Sequence, residues 1–293
     1  MRKFLSALFT LIIILGLMWL NDEKQSDAPD IALTDELRVH VLDVGQGDSI
    51  LIQGKGQNIL VDTGPPNARK QFLAALDEHG VKKVDLLILT HAHTDHIGNA
   101  TALIERIPVT KVMESPAETS APGVTRYYQA MKKKGVKLEI PKAGDKVEIG
   151  EGVYLEFFTP IKGEENPKNV NNSSLAFMLH GGKTRMLFTG DMEKDFEKKL
   201  VDLYGNRLRA DLLKSPHHGS STSSSAVFLK AVQPKAAFVS CAKGNDYGHP
   251  HREIVSSYKK QGIEMYRTDT QGTLSVRINQ EGYQISTEKE SGK

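Results

Sequence analysis

The stretch LILTHAHTDHIGNA, residues 87–100, runs from an apolar strand pattern straight into His91, His93, Asp95 and His96. Three imidazoles and a carboxylate are costly to bury without partners, so the cluster requires open solvent or a shared cation. His91 and His93 stand two apart in an extended or turning segment, which can aim both rings the same way. Asp95 and His96 follow before a helix expected at Gly98. Zinc accepts imidazole nitrogen and carboxylate oxygen, and a hydrolytic site leaves one position open for water. The spacing therefore predicts a metal centre that can feed two adjacent ions.

Two ions need more ligands than these four, and other strand ends offer them. FTGD, residues 188–191, closes a strand with Asp191, a carboxylate able to bridge. PHHGS, residues 216–220, sets His217 and His218 just past another strand, and GNDYGHP, residues 244–250, puts His249 in a Gly-rich loop. His40, His79, His180 and His251 read as structural or surface residues.

The chain of 293 residues is 39% hydrophobic and 25% charged, which excludes disorder as the default and provides an ample core. A formal net charge of +2 gives no strong footprint for nucleic acid, so any such contact needs a local basic stripe. Lys132, Lys133 and Lys134 are one such stripe, read first as the solvated end of a helix; Lys214 beside the HHGS loop is another. The single thiol, Cys241, cannot form an internal disulfide and reads as a buried packing residue.

Arg2 and Lys3 precede an apolar run from Phe4 to Leu20, broken only by Ser6, Thr10 and Gly16. Basic residues before a long apolar stretch are the pattern of an export signal. No A-x-A site closes the run, whose length is near the lower limit of about 17 residues for a spanning helix, so an uncleaved anchor is preferred to a cleaved peptide. The positive-inside rule then places the rest of the chain outside the cytoplasm, anchored or secreted. Residues 21–36 read as a linker, 37–287 as the folded domain and 288–293 as a polar tail.

Within that domain LRVHVLDV, SILIQ, NILVD and VDLLILT read as strands, joined by the Gly-rich GQGD and GKGQ and by a helix over 69–79. The second half repeats the style. VYLEFF, SLAFML, TRMLFT, ADLLK and KAAFVS read as strands, and the helix after Asp191 carries Phe196, Leu200 and Leu203 on one face. AVFLKAV and REIVSSYKK are further helices, and TLSVRI and YQIST are the closing strands. Hairpin strands with amphipathic helices in both halves predict an α/β fold of two sheets packed face to face with helices outside. Every polar motif falls at a strand end, so all can converge on one edge.

HAHTDH, with Asp62 in VDTG before it and Asp191 in FTGD after it, resembles the HxHxDH signature of the metallo-β-lactamase fold superfamily, an αββα sandwich. DVGQGDS (43–49), NNSSL (171–175), PHHGS and NDYGHP are similar to the hydrolase domain appended to the competence DNA-uptake protein ComEC. They also resemble its free-standing relatives, which include choline-phosphate esterases of Gram-positive surfaces. The resemblance covers roughly residues 37–278 and implies a binuclear hydrolase. His91, His93 and one of His217 or His218 would hold one ion, Asp95, His96 and His249 the other, with Asp191 bridging. Many members carry another ligand His upstream of the bridging Asp, where this chain has Asn171 and Asn172. His218 is the expected replacement, and His217 an orienting group or leaving-group acid, with their order open. Asp62 would orient a ligand imidazole through its ring N–H. Asp95 would receive the proton of the attacking water, and Asn172, Ser220, Asn245 and Tyr247 would donate to substrate.

The resemblance implies two divalent ions, zinc first and manganese as the alternative. It further implies a phosphodiesterase or nuclease acting on DNA or RNA, with DNA-uptake machinery as a partner. A wall-polymer choline-phosphate esterase is the enzymatic rival, and a metal-bound module that only binds nucleic acid or a partner is the rival of another class. The fold alone does not choose among them.

Overall fold

A computed structural model describes residues 36–116 and 122–289. The expected anchor, residues 1–20, and all but the last residue of the expected linker lie outside the described residues. Among the described residues no helix is long and apolar enough to cross a membrane.

The strands form two mixed sheets. The first has the order β15-β14-β1-β2-β3-β4-β5-β6, with β1 Leu37–Val41, β2 Ile50–Gly54, β3 Gln57–Val61, β4 Val84–Leu89, β5 Val109–Glu114, β6 Lys137–Glu139, β14 Leu274–Ile278 and β15 Tyr283–Thr287. The second has the order β13-β12-β11-β10-β9-β8-β7, with β7 Lys146–Gly150, β8 Val153–Phe157, β9 Phe177–Gly181, β10 Thr184–Phe188, β11 Leu212–Lys214, β12 Ala236–Val239 and β13 Glu264–Arg267. In the first sheet β15 to β3 pair antiparallel and β3 to β6 parallel. In the second, β7 to β10 pair antiparallel and β10 to β13 parallel.

Period-two patterning builds the layers. In β2, Ile50 and Ile52 enter the core between the sheets, while Leu51 packs with Phe72 and Leu76 of helix α1, Arg69–Glu78. On the far side Phe177, Phe188 and Phe238 face inward. Met178, Leu187 and Ala237 meet Phe196, Phe228 and Tyr258 of the outer helices. The αββα sandwich expected from the resemblance is therefore present. The GKGQ connection is a two-residue hairpin with Lys55 at φ 50° and Gly56 at φ 75°, the twist that suits adjacent strands.

Three details differ from the sequence reading. SLAFML enters its strand only at Phe177, because residues 170–173 form a 3-10 turn first. The helix Lys194–Tyr204 exposes Leu203 by 58%, since its buried stripe is rotated toward Glu197 and Val201. Glu197 is drawn inward because its carboxylate accepts the backbone N–H groups of Ser224 and Ser225 (2.5 and 2.8 Å) at the start of the helix Ala226–Val232. The exposed β6 carries no alternation that would announce a strand.

Candidate metal centre

The carboxyl ends of the parallel strands carry the polar motifs, the place where open α/β sheets bind ligands. β3 ends before Asp62 and β4 before His91 to His96. β10 leads to Asp191 and β11 to His217 and His218. The two sheets bring these ends together around one cleft of about 380 Å³, lined by Gln46, His93, Thr94, Asp95, Asn171, Asp191, His217, His218, Tyr247 and His249.

His91 Nε2 and His93 Nδ1 face each other at 3.1 Å. Asp191 Oδ2 lies 3.2 Å from His96 Nε2, 3.4 Å from His218 Nε2, 3.7 Å from His217 Nε2 and 3.9 Å from His91 Nε2. Asp95 Oδ2 lies 3.3 Å from His218 Nε2 and 3.9 Å from His96 Nε2. Donors held at 2.0–2.1 Å around a tetrahedral ion stand about 3.3 Å apart, so these spacings fit a divalent metal. The orphaned atoms agree: Asp191 Oδ1, His96 Nε2 and His218 Nε2 are buried without hydrogen-bond partners. Asp95, His96, Asp191 and His218 form a compact ligand group.

Electrostatics give the same picture. Burial opposes charge on His96, but the Asp191 and Asp62 carboxylates outweigh it and hold its pKa well above the ordinary value. His218 is raised in the same way, against burial, by Asp191 and Asp48. Burial disfavours ionised Asp95, yet His218 and His96 bring its pKa down to about 2. His91 moves the other way, since burial and the neighbouring His96 push it well below the imidazole range.

Asp62 lies directly behind the His96 ring. It accepts His96 Nδ1–H at 2.8 Å, the Thr90 backbone N–H at 2.8 Å and the Thr90 hydroxyl at 2.7 Å. The pairing of ligands differs from the expected one. His218, fully buried, stands with Asp95 and His96 in the place expected of His249, rather than with His91 and His93. His249 lines the same cleft with Nδ1 3.3 Å from the Gln46 amide, and burial and the nearby His218 bring its pKa down to about 4. His217 is more exposed and holds the Thr222 hydroxyl at 3.0 Å through Nδ1.

His217 and His218 have φ of 49° and 54°, a left-handed pair that costs non-glycine residues on the order of 1 kcal/mol each. The strain turns both rings off the end of β11 toward Asp191.

Of the expected substrate contacts, Tyr247 lines the cleft, 67% exposed. Asn172, Ser220 and Asn245 are instead tied into loop structure. Asn172 Oδ1 accepts the Glu193 N–H at 2.9 Å, and Ser220 Oγ bonds the Thr222 hydroxyl at 3.0 Å. Asn245 braces the His249 loop through Ala242 O, His249 O and His249 N–H. Asn171 takes the place assigned to Asn172, reaching the cleft with its Nδ2 on Glu193 Oε1 at 3.1 Å. Lys214 offers nothing to a phosphate backbone, being 1% exposed and bonded to Asp48 Oδ2 at 2.8 Å. Gln46, Thr94 and Asp48 had no sequence reading of their own; only membership of the DVGQGDS motif marked Gln46 and Asp48.

A family model described as Metallo-beta-lactamase superfamily matches residues 42–243. The chain is 34% identical over 263 residues to ComE operon protein 3 of Bacillus subtilis, covering 84% of this chain and 33% of that protein. It is 31% identical over 257 residues to competence protein ComA of Neisseria gonorrhoeae, covering 87% and 34%. It thus spans about a third of the length of these curated relatives. Among solved structures it is similar to the metallo-beta-lactamase fold protein YhfI from Bacillus subtilis, with a TM-score of 0.55 at 17% identity over 80% of this chain and 96% of that one. Both the sequence match and the shared two-sheet scaffold lead to one assignment: the chain belongs to the metallo-beta-lactamase superfamily.

Proposed function

We propose that this protein is a binuclear metal-dependent phosphodiesterase whose substrate is a nucleic acid strand. The observation that carries the reading is the position of Asp191, whose single oxygen Oδ2 lies within 4 Å of His91, His96, His217 and His218 at the floor of an open cleft. A carboxylate shared between imidazole groups suits two ions rather than one. Zinc fits the nitrogen and oxygen donor set, and manganese is the alternative.

Two bound divalent ions would lower the pKa of a shared water toward about 7 and neutralise charge on the phosphoryl oxygens. Asp95, whose carboxylate stands 3.3 Å from His218 and 3.9 Å from His96 at the cleft, would accept the proton of the attacking water. His217, facing the cleft with Nδ1 held by Thr222, delivers a proton to the leaving oxygen. Asn171 and Tyr247 line the path of the substrate.

Nucleic acid is favoured because one of the relatives named above is a competence protein, ComA of Neisseria gonorrhoeae, and because of the likeness of DVGQGDS, PHHGS and NDYGHP to the DNA-uptake hydrolase domain. The cleft also adjoins a second cavity of about 390 Å³ that shares Gln46 and Tyr247 as walls, which gives room for more than one substrate unit. We further propose that the N-terminal apolar run holds the domain on the outer face of a membrane.

Single-stranded DNA with zinc or manganese is the test substrate. Cleavage is expected in the wild type, abolished by chelator and by His93→Ala. If DNA survives while choline-phosphate esters are hydrolysed, the wall-polymer esterase replaces this reading. Metal binding with no turnover of any phosphodiester would identify a binding module.

A further inference from the structure

We propose that Asp48 and Lys214 form a buried positioning pair for the metal centre, in which Asp48 backs His218 as Asp62 backs His96 and Lys214 balances the charge. The inference rests on the reading that Asp95, His96, Asp191 and His218 hold metal. Asp48 and Lys214 are each 1% exposed, with Oδ2 and Nζ 2.8 Å apart. Asp48 Oδ1 is buried without a hydrogen-bond partner and lies 3.4 Å from His218 Nδ1. The same ring nitrogen meets the Ser240 carbonyl at 3.0 Å, so its proton goes to that carbonyl with the Asp48 carboxylate alongside. That fixes the tautomer with Nδ1 protonated and leaves Nε2 free to face Asp95 and Asp191.

The pair also aligns the two sheets. Asp48 lies in the loop between β1 and β2 of the first sheet and Lys214 ends β11 of the second. The Asp48 N–H donates to the Asp95 carbonyl at 3.2 Å, and the Asp48 carbonyl accepts Gly64 N–H at 2.8 Å. The loop fits only because residue 47 is glycine: at φ 151°, a Cβ there would lie 2.3 Å from Asp95 O. One residue thus bonds the backbone that presents Asp95 through its N–H and faces the ring of His218 with its carboxylate, joining candidate ligands from opposite sheets.

Stability alone does not account for such a pair. Buried ion pairs are often matched or surpassed by apolar residues of similar volume, so charge retained here is explained by the ligand it faces. Asp62 is supported by neutral donors from Thr90. Asp48, equally buried, is neutralised by a lysine.

The test uses the full-length chain and the variants D48N/K214M, D48N and K214R. Bound zinc and manganese are measured by elemental analysis and by competition with a chromophoric chelator, and melting temperature is taken with metal removed. The double variant removes both charges while keeping their volume. It should melt within a few degrees of the wild type yet bind metal 10- to 100-fold more weakly, the usual effect of losing a ligand's support. D48N should also weaken binding, and K214R, which keeps the charge, should retain it. Wild-type affinity in either folded Asn variant overturns the proposal and makes the pair a packing feature. A wild-type protein that binds no metal overturns the metal reading itself. Should neither Asn variant fold, the ring nitrogen-15 shifts of His218 in the wild type decide: a protonated, hydrogen-bonded Nδ1 supports the pair, and the opposite tautomer overturns it.

Discussion

Asp191 and Asn172 lie within 20 positions of each other, both beside the cleft, and have opposite tasks. The Asp191 carboxylate is 2% exposed with four imidazole nitrogens within 4 Å, and His218 and His96 hold its pKa well below the carboxylate range against the cost of burial. The Asn172 side chain accepts one backbone N–H from Glu193 and no ligand. Asp191→Ala is therefore expected to lose at least one ion per chain, and Asn172→Ala to keep its metal and lose on the order of 1 kcal/mol of stability. Elemental analysis of the two purified proteins and their unfolding curves check both halves. At this scale residue types disclosed the chemistry. Partners were hidden: nothing near Lys214 in sequence announces Asp48, 166 positions away, and so a buried cation reads as a surface one.

Single elements show where periodicity suffices and where packing intervenes. Strand β1 brings His40 against His79 at the end of helix α1, with ring centroids 4.0 Å apart. Its Nδ1 bonds Ser275 Oγ at 2.8 Å, and its Nε2 is buried without a partner. Burial, with His79 beside it, lowers the His40 pKa to about 3. An unfolded imidazole titrates near 6.5, so between the two values the unfolded chain binds the extra proton. Stability is full above pH ~6.5 and falls as the pH drops toward 3, by about 2 kcal/mol at pH 5 from this group alone. His40→Gln should flatten that slope, as measured by denaturant unfolding at pH 7 and pH 5. The strand itself was legible, because alternation in LRVHV is a local property. The rotation of the helix Lys194–Tyr204 was not, because it follows from Glu197 capping a helix that begins 29 positions later.

For the whole molecule, the metal centre and the fold depend on each other. The candidate ligands come from both sheets, so a metal bound between them would favour the folded state over the unfolded one. Free metal at 1,000 times its dissociation constant should add about 4 kcal/mol. For a domain of this size that is a rise of roughly 8–16 °C in melting temperature, reversed by chelator. Calorimetry across a zinc titration checks it, and a melting temperature that ignores metal would contradict the two-sheet assignment of ligands.

The sequence by itself determined the sandwich architecture and marked HAHTDH and Asp62 as candidate residues of one polar site. These rest on local pattern: the period of apolar residues, the ring spacing in a turn, and a motif that resembles a known family. Only the tertiary structure decided which ligands share a group, that Asn171 rather than Asn172 reaches the cleft, and that Lys214 is buried. Those facts depend on the register of two sheets packed face to face, which sets distances between residues more than a hundred positions apart. No window of sequence contains that register, because it is fixed by the shared core and by loops meeting across it.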